Sequence, residues 1–579
     1  MITINHLPNE ILITIFRKID QESLKNAALT CKLWKELVES ACPWSIYVNY
    51  DHGTADERLV EFFLTTNRKF RKIKMDALAQ MDKNKIIDII RKHGSNVSKF
   101  SLLNSMVENV DHFIEMIKCM PNLNHLIVYG VTIVNGTGVT SNDALSSLPE
   151  FTKLKTFELV ECACSVVQCF KRSNLKEFKL LSNVYETSST THTPALELLQ
   201  SQTQLKTLAL RSIDDASALF RTESIGSVKF QLNQLSLLDI QLRESPNDYN
   251  NLLRFLKSQA KTIKRLEMGK RFPDLVYEFV FAKFKNLKSL RLMINELPQE
   301  LEFYNRLEEN KSITQLTFMD YPTPNHLNNG CPPSLQEFIR HVPNVTDLTL
   351  NKYCDRGTLE FIAANLRNLK RLSVTYFNEM IFSDLQFPNL KTLCIIKVEE
   401  DVNWDKFTKL NPDIKEIIID TGSFSGFSNW TESIVNEFLD ALRRNLRLQV
   451  LRIGGRLRTN ELTYKIIREF TDLKIVDLNR KCALEKHLMS GIPGLYFHDN
   501  EFQTFFNDSE FWKQDDYDGR LPDIDVGGGN WGDGDNILDP FDMHLMDIDV
   551  YDEYDEYDDQ DDQDDFFDDF DDEFGEISD

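Results

Sequence analysis

Eleven histidines and ten cysteines are the side chains of this 579-residue chain best suited to hold a metal or attack an electrophile. The histidines are spread from His6 to His544 with no ligand spacing, and the tightest cysteine group, Cys162, Cys164 and Cys169, matches no zinc pattern. The chain has no P-loop, no GxGxxG, no HExxH, no paired CxxC and no GxSxG elbow. The segment GGGNWGDGDNILD offers calcium-type oxygens, but it occurs once and lacks EF-hand spacing, so it reads as a flexible, solvated linker. The expectation is a non-catalytic chain with no metal and no cofactor.

Charge is divided unevenly. From Asp515 to Asp579 there are 28 Asp and Glu against Arg520 alone, a net −27. The whole chain carries 90 acidic and 66 basic residues, which leaves 62 against 65, or +3, for the rest. The acidity belongs to a tail, and the body is nearly neutral. No run of 18 apolar residues exists to span a membrane, and MITINHLPNE lacks a secretory pattern. Scattered cysteines in a long chain suit a reducing compartment. Cytoplasmic and/or nuclear residence is expected.

The elements that would position any functional side chain are visible as a repeat. Frames of the form apolar-x-x-apolar-x-apolar start at sixteen places from Phe70 to Leu473, a mean spacing of about 27 residues. Lys follows the first apolar residue in nine of them, as in LKTFEL, LKEFKL, LKSLRL and LKIVDL. Asn precedes it in six, at Asn122, Asn174, Asn286, Asn344, Asn368 and Asn389. Helical patterns such as HFIEMIKCM, SLQEFIRHV and SIVNEFLDALRRN lie between frames. A short strand plus a helix at a near-constant period is an α/β solenoid. It resembles the irregular, longer-period leucine-rich repeats. That family has Asn or Cys three residues after the third apolar position; only Cys162, Asn183 and Asn295 stand there, so its ladder of turn hydrogen bonds is not expected in full.

Ahead of the repeats, Ile11, Leu12, Ile15, Phe16 and Ile19 form one helical stripe, and Leu24, Ala27, Ala28, Cys31 and Trp34 a second. Such helices could simply cap the first repeat. The run NHLPNEILITIFRKIDQESLKNAALTCKLWKELV also resembles an F-box, with Leu7, Pro8, Glu10, Ile11, Leu12, Ile15, Phe16, Leu24, Cys31, Lys32 and Trp34 in register without a gap. Ile19 replaces a Leu and Ser23 an Asp of that pattern. An F-box joined to leucine-rich repeats resembles the substrate receptors of SCF ubiquitin ligases. The resemblance implies that Leu7, Pro8, Ile11, Leu12, Ile15, Phe16, Leu24, Cys31 and Trp34 dock a Skp-family adaptor. A cullin scaffold would be bound indirectly, and the solenoid would hold a protein substrate.

The expected organisation is an F-box at 1–45, a connector at 46–69, a leucine-rich-repeat solenoid (horseshoe) at 70–498 and a largely disordered acidic tail at 499–579. Strand alternation puts the second and third apolar residues of each frame inside and the residues beside them on the concave face. The position just after the third apolar residue reads Leu103, Tyr129, Val160, Leu181, Arg211, Leu238, Gly269, Met293 and Met319. Its seven apolar members are candidates for substrate binding as an exposed strip, unless the loop leaving each strand covers them or the register slips by one. Between the inward pair stand Lys74, Lys179, Arg291 and Arg452 against Glu158, Glu267 and Asp477, mixed signs that argue against direct nucleic-acid binding. The tail, with YDEYDEYDDQDDQDDFFDDFDDEF, is a solubilising segment or a capture site for a basic protein. The second class of function is therefore a repeat scaffold or acidic chaperone outside ubiquitin transfer.

Overall fold

A computed structural model describes residues 7–16, 18, 21–41, 44–49, 62–66, 68–76, 83–133, 151–160, 162, 164–181, 193–211, 217–220, 225–226, 228–238, 240, 242, 246–269, 272–319, 331–351, 354–377, 382, 384–398, 402–420, 431–454, 461–479 and 495–498. The acidic tail and the GGGNWGDGDNILD segment lie outside them. No helix among the described residues is long and apolar enough to cross a membrane.

Three short helices come first: α1 (Asn9–Phe16), α2 (Gln21–Thr30) and α3 (Lys32–Ala41). The Pro8 carbonyl accepts the Ile11 and Leu12 amides at 3.0 and 3.1 Å, starting α1 where proline suits the first turn. Leu12, Phe16, Leu24, Ala27, Ala28 and Val38 are buried, and the Phe16 and Trp34 rings meet edge to face at 5.1 Å.

Every one of the sixteen frames becomes a strand, and all pair in parallel in chain order. Two further strands extend the sheet, Trp44–Asn49 at its start and Leu495–His498 at its end. The first falls across the segment assigned to a connector. There Ile46 and Val48 pair with Ile73 and Met75, but the register shifts at Trp44, so the six-residue frame is not kept. The last strand, LYFH, is too short to show a frame.

Parallel strands need a crossover, and among the described residues helices and helical turns supply many of them. The expected helices appear as Val110–Lys118, Pro246–Gln259, Pro333–Arg340, Arg356–Asn365 and Glu432–Asn445. Other crossovers are slighter: a 3₁₀ segment at Cys164–Phe170 and four-residue helices at Ser217–Phe220 and Leu301–Tyr304. Side-chain caps begin several helices: Asn109 accepts from the His112 amide, Asp355 from Thr358 and Thr431 from Ile434. The core lies between strands and crossovers. Leu290 and Leu292 are buried from the strand side, and Phe281 and Phe338 meet edge to face at 5.2 Å from the helix side.

The rows are tied together at the turn that precedes each strand. The Lys176 amide donates to the Lys155 carbonyl at 2.7 Å, Lys206 to Lys176 at 2.8 Å, Lys288 to Lys264 at 2.8 Å and Lys391 to Lys370 at 2.7 Å. The next amide shares the same carbonyl, as Thr207 does with Lys176 at 3.1 Å. The side chains at this position face solvent: eight of the nine frame lysines are exposed, with Lys391 half-buried.

Candidate protein-interaction surfaces

The first surface is on the three-helix module. Of the residues assigned to adaptor docking, Leu12, Phe16 and Leu24 are buried within it. Leu7, Ile15, Cys31 and Trp34 are half-buried, and Pro8 is exposed. Ile11 is 47% exposed, and two leucines outside that set, Leu29 and Leu33, are 45% and 41% exposed. Their apolarity on charged helices was the signal that could have nominated them. A buried Trp34 Nε1 has no hydrogen-bond partner among the described residues. A module this small with uncovered Ile and Leu side chains has the surface of an association site rather than of a self-contained domain.

The second surface is the strand face opposite the helices. Its central row runs in unbroken register from Lys74 through Ser101, Ile127, Glu158, Lys179, Ala209, Ser236, Glu267 and Arg291 to Arg452 and Asp477. The charges expected there do not stand as a solvated face. Glu158 Oε1 lies 2.9 Å from Lys179 Nζ and 3.3 Å from His125 Nε2, with the Glu158 and Lys179 side chains only 9% and 10% exposed. Lys179 also reaches Glu177 at 3.2 Å. Burial pushes the Glu158 carboxyl up, but the adjoining His125 imidazole and Lys179 ammonium outweigh it and bring it down to about 2. Burial lowers Lys179, and Glu158 and Glu177 more than compensate, so its ammonium is held above its ordinary range. Three rows on, the Ser236 hydroxyl donates to Glu267 at 2.9 Å, and Arg291 approaches the same carboxylate at 3.4 Å.

The neighbouring row holds the candidate substrate residues. Leu103, Tyr129, Val160, Leu181, Arg211 and Leu238 stand in one register line, and Met293 pairs with Met319. The spacing reading of that row is correct, but the exposure assigned to it is not. Val160, Leu238, Met293 and Met319 are buried, and Leu103, Tyr129 and Leu181 are half-buried. Two causes are visible. The chain leaving the strands stays bonded to its neighbour, with Asn104 donating to the Tyr129 carbonyl at 2.8 Å and Gly130 to Val160 at 2.9 Å. Leu238, Met293 and Met319 also close on one another in a buried cluster. Gly269, between their rows, has no side chain to separate them. Gly130 itself turns through φ +59°, and a Cβ there would fall 2.7 Å from Asn104 Oδ1.

Sequence reasoning missed a set of buried amides that join successive rows. Gln202 accepts the Leu175 amide at 2.9 Å, Gln259 the Leu232 amide at 2.9 Å and Asn411 the Phe387 amide at 2.7 Å. Asn310 donates to Phe281 and Phe284 carbonyls at 3.4 and 3.3 Å. Each sits three or four residues before the first apolar residue of its own frame, a periodicity that could have been read. The Asn just before the frame does related work at the surface. Asn122, Asn286, Asn344 and Asn389 each donate to a carbonyl of the preceding row at 2.6–2.9 Å. Of the three residues at the family's own ladder position, Cys162 takes part, accepting from the Val131 amide at 3.1 Å. Asn295 lies in a 3₁₀ turn, and Asn183 is outside the described residues. Among the described residues no group of three or more His, Cys, Asp and Glu is placed to hold a metal.

The F-box-like family matches residues 4–45. No curated protein sequence matches the chain. The solved structures it resembles include a TLR13–ssRNA13 complex, at 14% identity over 79% of this chain and 73% of that one, TM-score 0.37. An internalin (inlF) from Listeria monocytogenes str. 4b F2365 aligns at 14% identity over 71% and 88% of the two chains, TM-score 0.24. The leucine-rich repeat-containing protein LegL7 from Legionella pneumophila does so at 14% over 58% and 95%, TM-score 0.29. The chain thus carries an F-box-like module at residues 4–45, followed by a sheet of parallel rows at a leucine-rich-repeat period.

Proposed function

We propose that this chain is the substrate-recognition subunit of an SCF-type cullin ubiquitin ligase. The observation that carries the reading is the exposed apolar set Pro8, Ile11, Leu29 and Leu33 on an F-box-like module joined directly to a repeat sheet. In this reading a Skp-family adaptor covers that set, the adaptor links to a cullin, and the solenoid holds a protein substrate. The chain contributes proximity rather than chemistry, raising the local concentration of substrate lysines near a thioester formed elsewhere. It is non-catalytic and acts in the cytoplasm or nucleus.

Co-purification from cells tests this with the wild type and an Ile11→Lys/Leu33→Lys variant, both side chains being exposed and so dispensable for the helices. The expected outcome is adaptor and cullin with the wild type and loss of both, by tenfold or more, in the variant. Recovery of neither by the wild type would sink the reading. The 28 acidic residues of the tail favour a second reading, a scaffold or chaperone for a basic protein. It would then take the lead.

A further inference from the structure

Cys331 and Cys354 bring their Sγ atoms to 2.9 Å, across 23 residues of sequence. Both stand on the edge where the strands end, Cys331 before the helix Pro333–Arg340 and Cys354 between the strand Asp347–Leu350 and the helix Arg356–Asn365. The residues after each cysteine fix its backbone. Pro332 and Pro333 restrict the chain beyond Cys331. Beyond Cys354, the Asp355 carboxylate takes the Thr358 amide at 2.9 Å and its hydroxyl at 2.9 Å. The Gln336 side chain reaches Thr358 at 3.5 Å, joining the two helix starts. Closing the sulfurs to a bond of about 2.05 Å takes under about 1 Å of side-chain movement.

We propose that Cys331 and Cys354 form a redox modification site, a reversible disulfide that staples two successive repeats when the chain meets a peroxide. Cys331 is half-buried and reachable, whereas Cys354 is buried. The Cys331 thiolate attacks one peroxide oxygen, the O–O bond breaks, and hydroxide leaves to be protonated to water, giving a sulfenic acid. The Cys354 thiolate then attacks the Cys331 sulfur, the S–O bond breaks, and the second hydroxide leaves as water. The two sulfurs lose two electrons in all, and the peroxide is reduced to two waters. A dithiol reductant reverses the bond. Two other cysteines are less suited to the first step: burial pushes the Cys169 thiol up to about 12 and raises the Cys119 thiol as well.

The test treats the full chain with hydrogen peroxide, alkylates the remaining thiols and digests with trypsin, which cuts after Arg340 and Lys352 and so separates the two cysteines. The expected result is one linked peptide pair, lighter by two hydrogens than the separate thiols and abolished by dithiothreitol. The link is lost completely in Cys354→Ala and in Cys331→Ser, each checked for native melting under reducing conditions. The second variant changes a half-buried position and guards against a folding defect in the first. Two results would overturn the proposal: full alkylation of both thiols after peroxide, or oxidation of Cys331 to the same extent in wild type and Cys354→Ala with no link formed.

Discussion

Glu158 shows how one residue of a repeat comes to differ from its neighbours. Its row mates are mostly small or apolar, yet it is a buried carboxylate that persists because Lys179 and His125 face it from the two adjoining strands. A carboxyl held at about 2, below its ordinary value, contributes stability that is present above the unfolded value of 4.5. That contribution is lost as pH falls toward 2. Glu158→Gln should therefore unfold more easily at pH 7 by about 3 kcal/mol, since the Glu158 carboxylate is lost and Lys179 keeps only Glu177 as a carboxylate partner in a buried site. Chemical denaturation across pH should show the gap between variant and wild type closing through that acid window. The raised Lys179 acts at the other end, its contribution fading only as pH climbs past the ordinary lysine range. The sequence displayed both charges at adjoining frame positions but not their burial, because burial depends on how closely parallel rows approach.

At the scale of the element, the sheet was legible and its fastenings were not. Sixteen apolar frames became sixteen strands because frame and strand share one period, and the lysine after the first residue of nine frames marked the turn. What binds row to row is a backbone carbonyl and a buried amide side chain. Neither is hydrophobic, so a hydrophobic period does not reveal them. Gln259 is wholly buried, and its loss in Gln259→Ala leaves the Leu232 amide without an acceptor, at a cost of about 1–3 kcal/mol. Asn286→Ala removes a bond at the exposed surface, where water replaces it, and should cost well under half as much. Urea unfolding of the two variants side by side separates these cases. The strip from Leu103 to Met319 failed for a related reason: alternation gave the face correctly, but Leu238 and Met293, two rows apart across Gly269, close into one buried cluster with Met319.

For the whole molecule, net charge is set by one segment rather than by the repeats. Because the body carries +3 and the segment from Asp515 carries −27, removing residues 515–579 should abolish retention on an anion exchanger at neutral pH while leaving cooperative unfolding of the repeats unchanged. Were a basic protein the partner of that tail, capture should fall steeply between low and high salt, and salt-independent capture would count against it. Within the repeats, the Lys176 amide hangs on the Lys155 carbonyl and the Lys206 amide on that of Lys176, so each row is hemmed to the one before it, and the sheet is a fabric that frays only from an end.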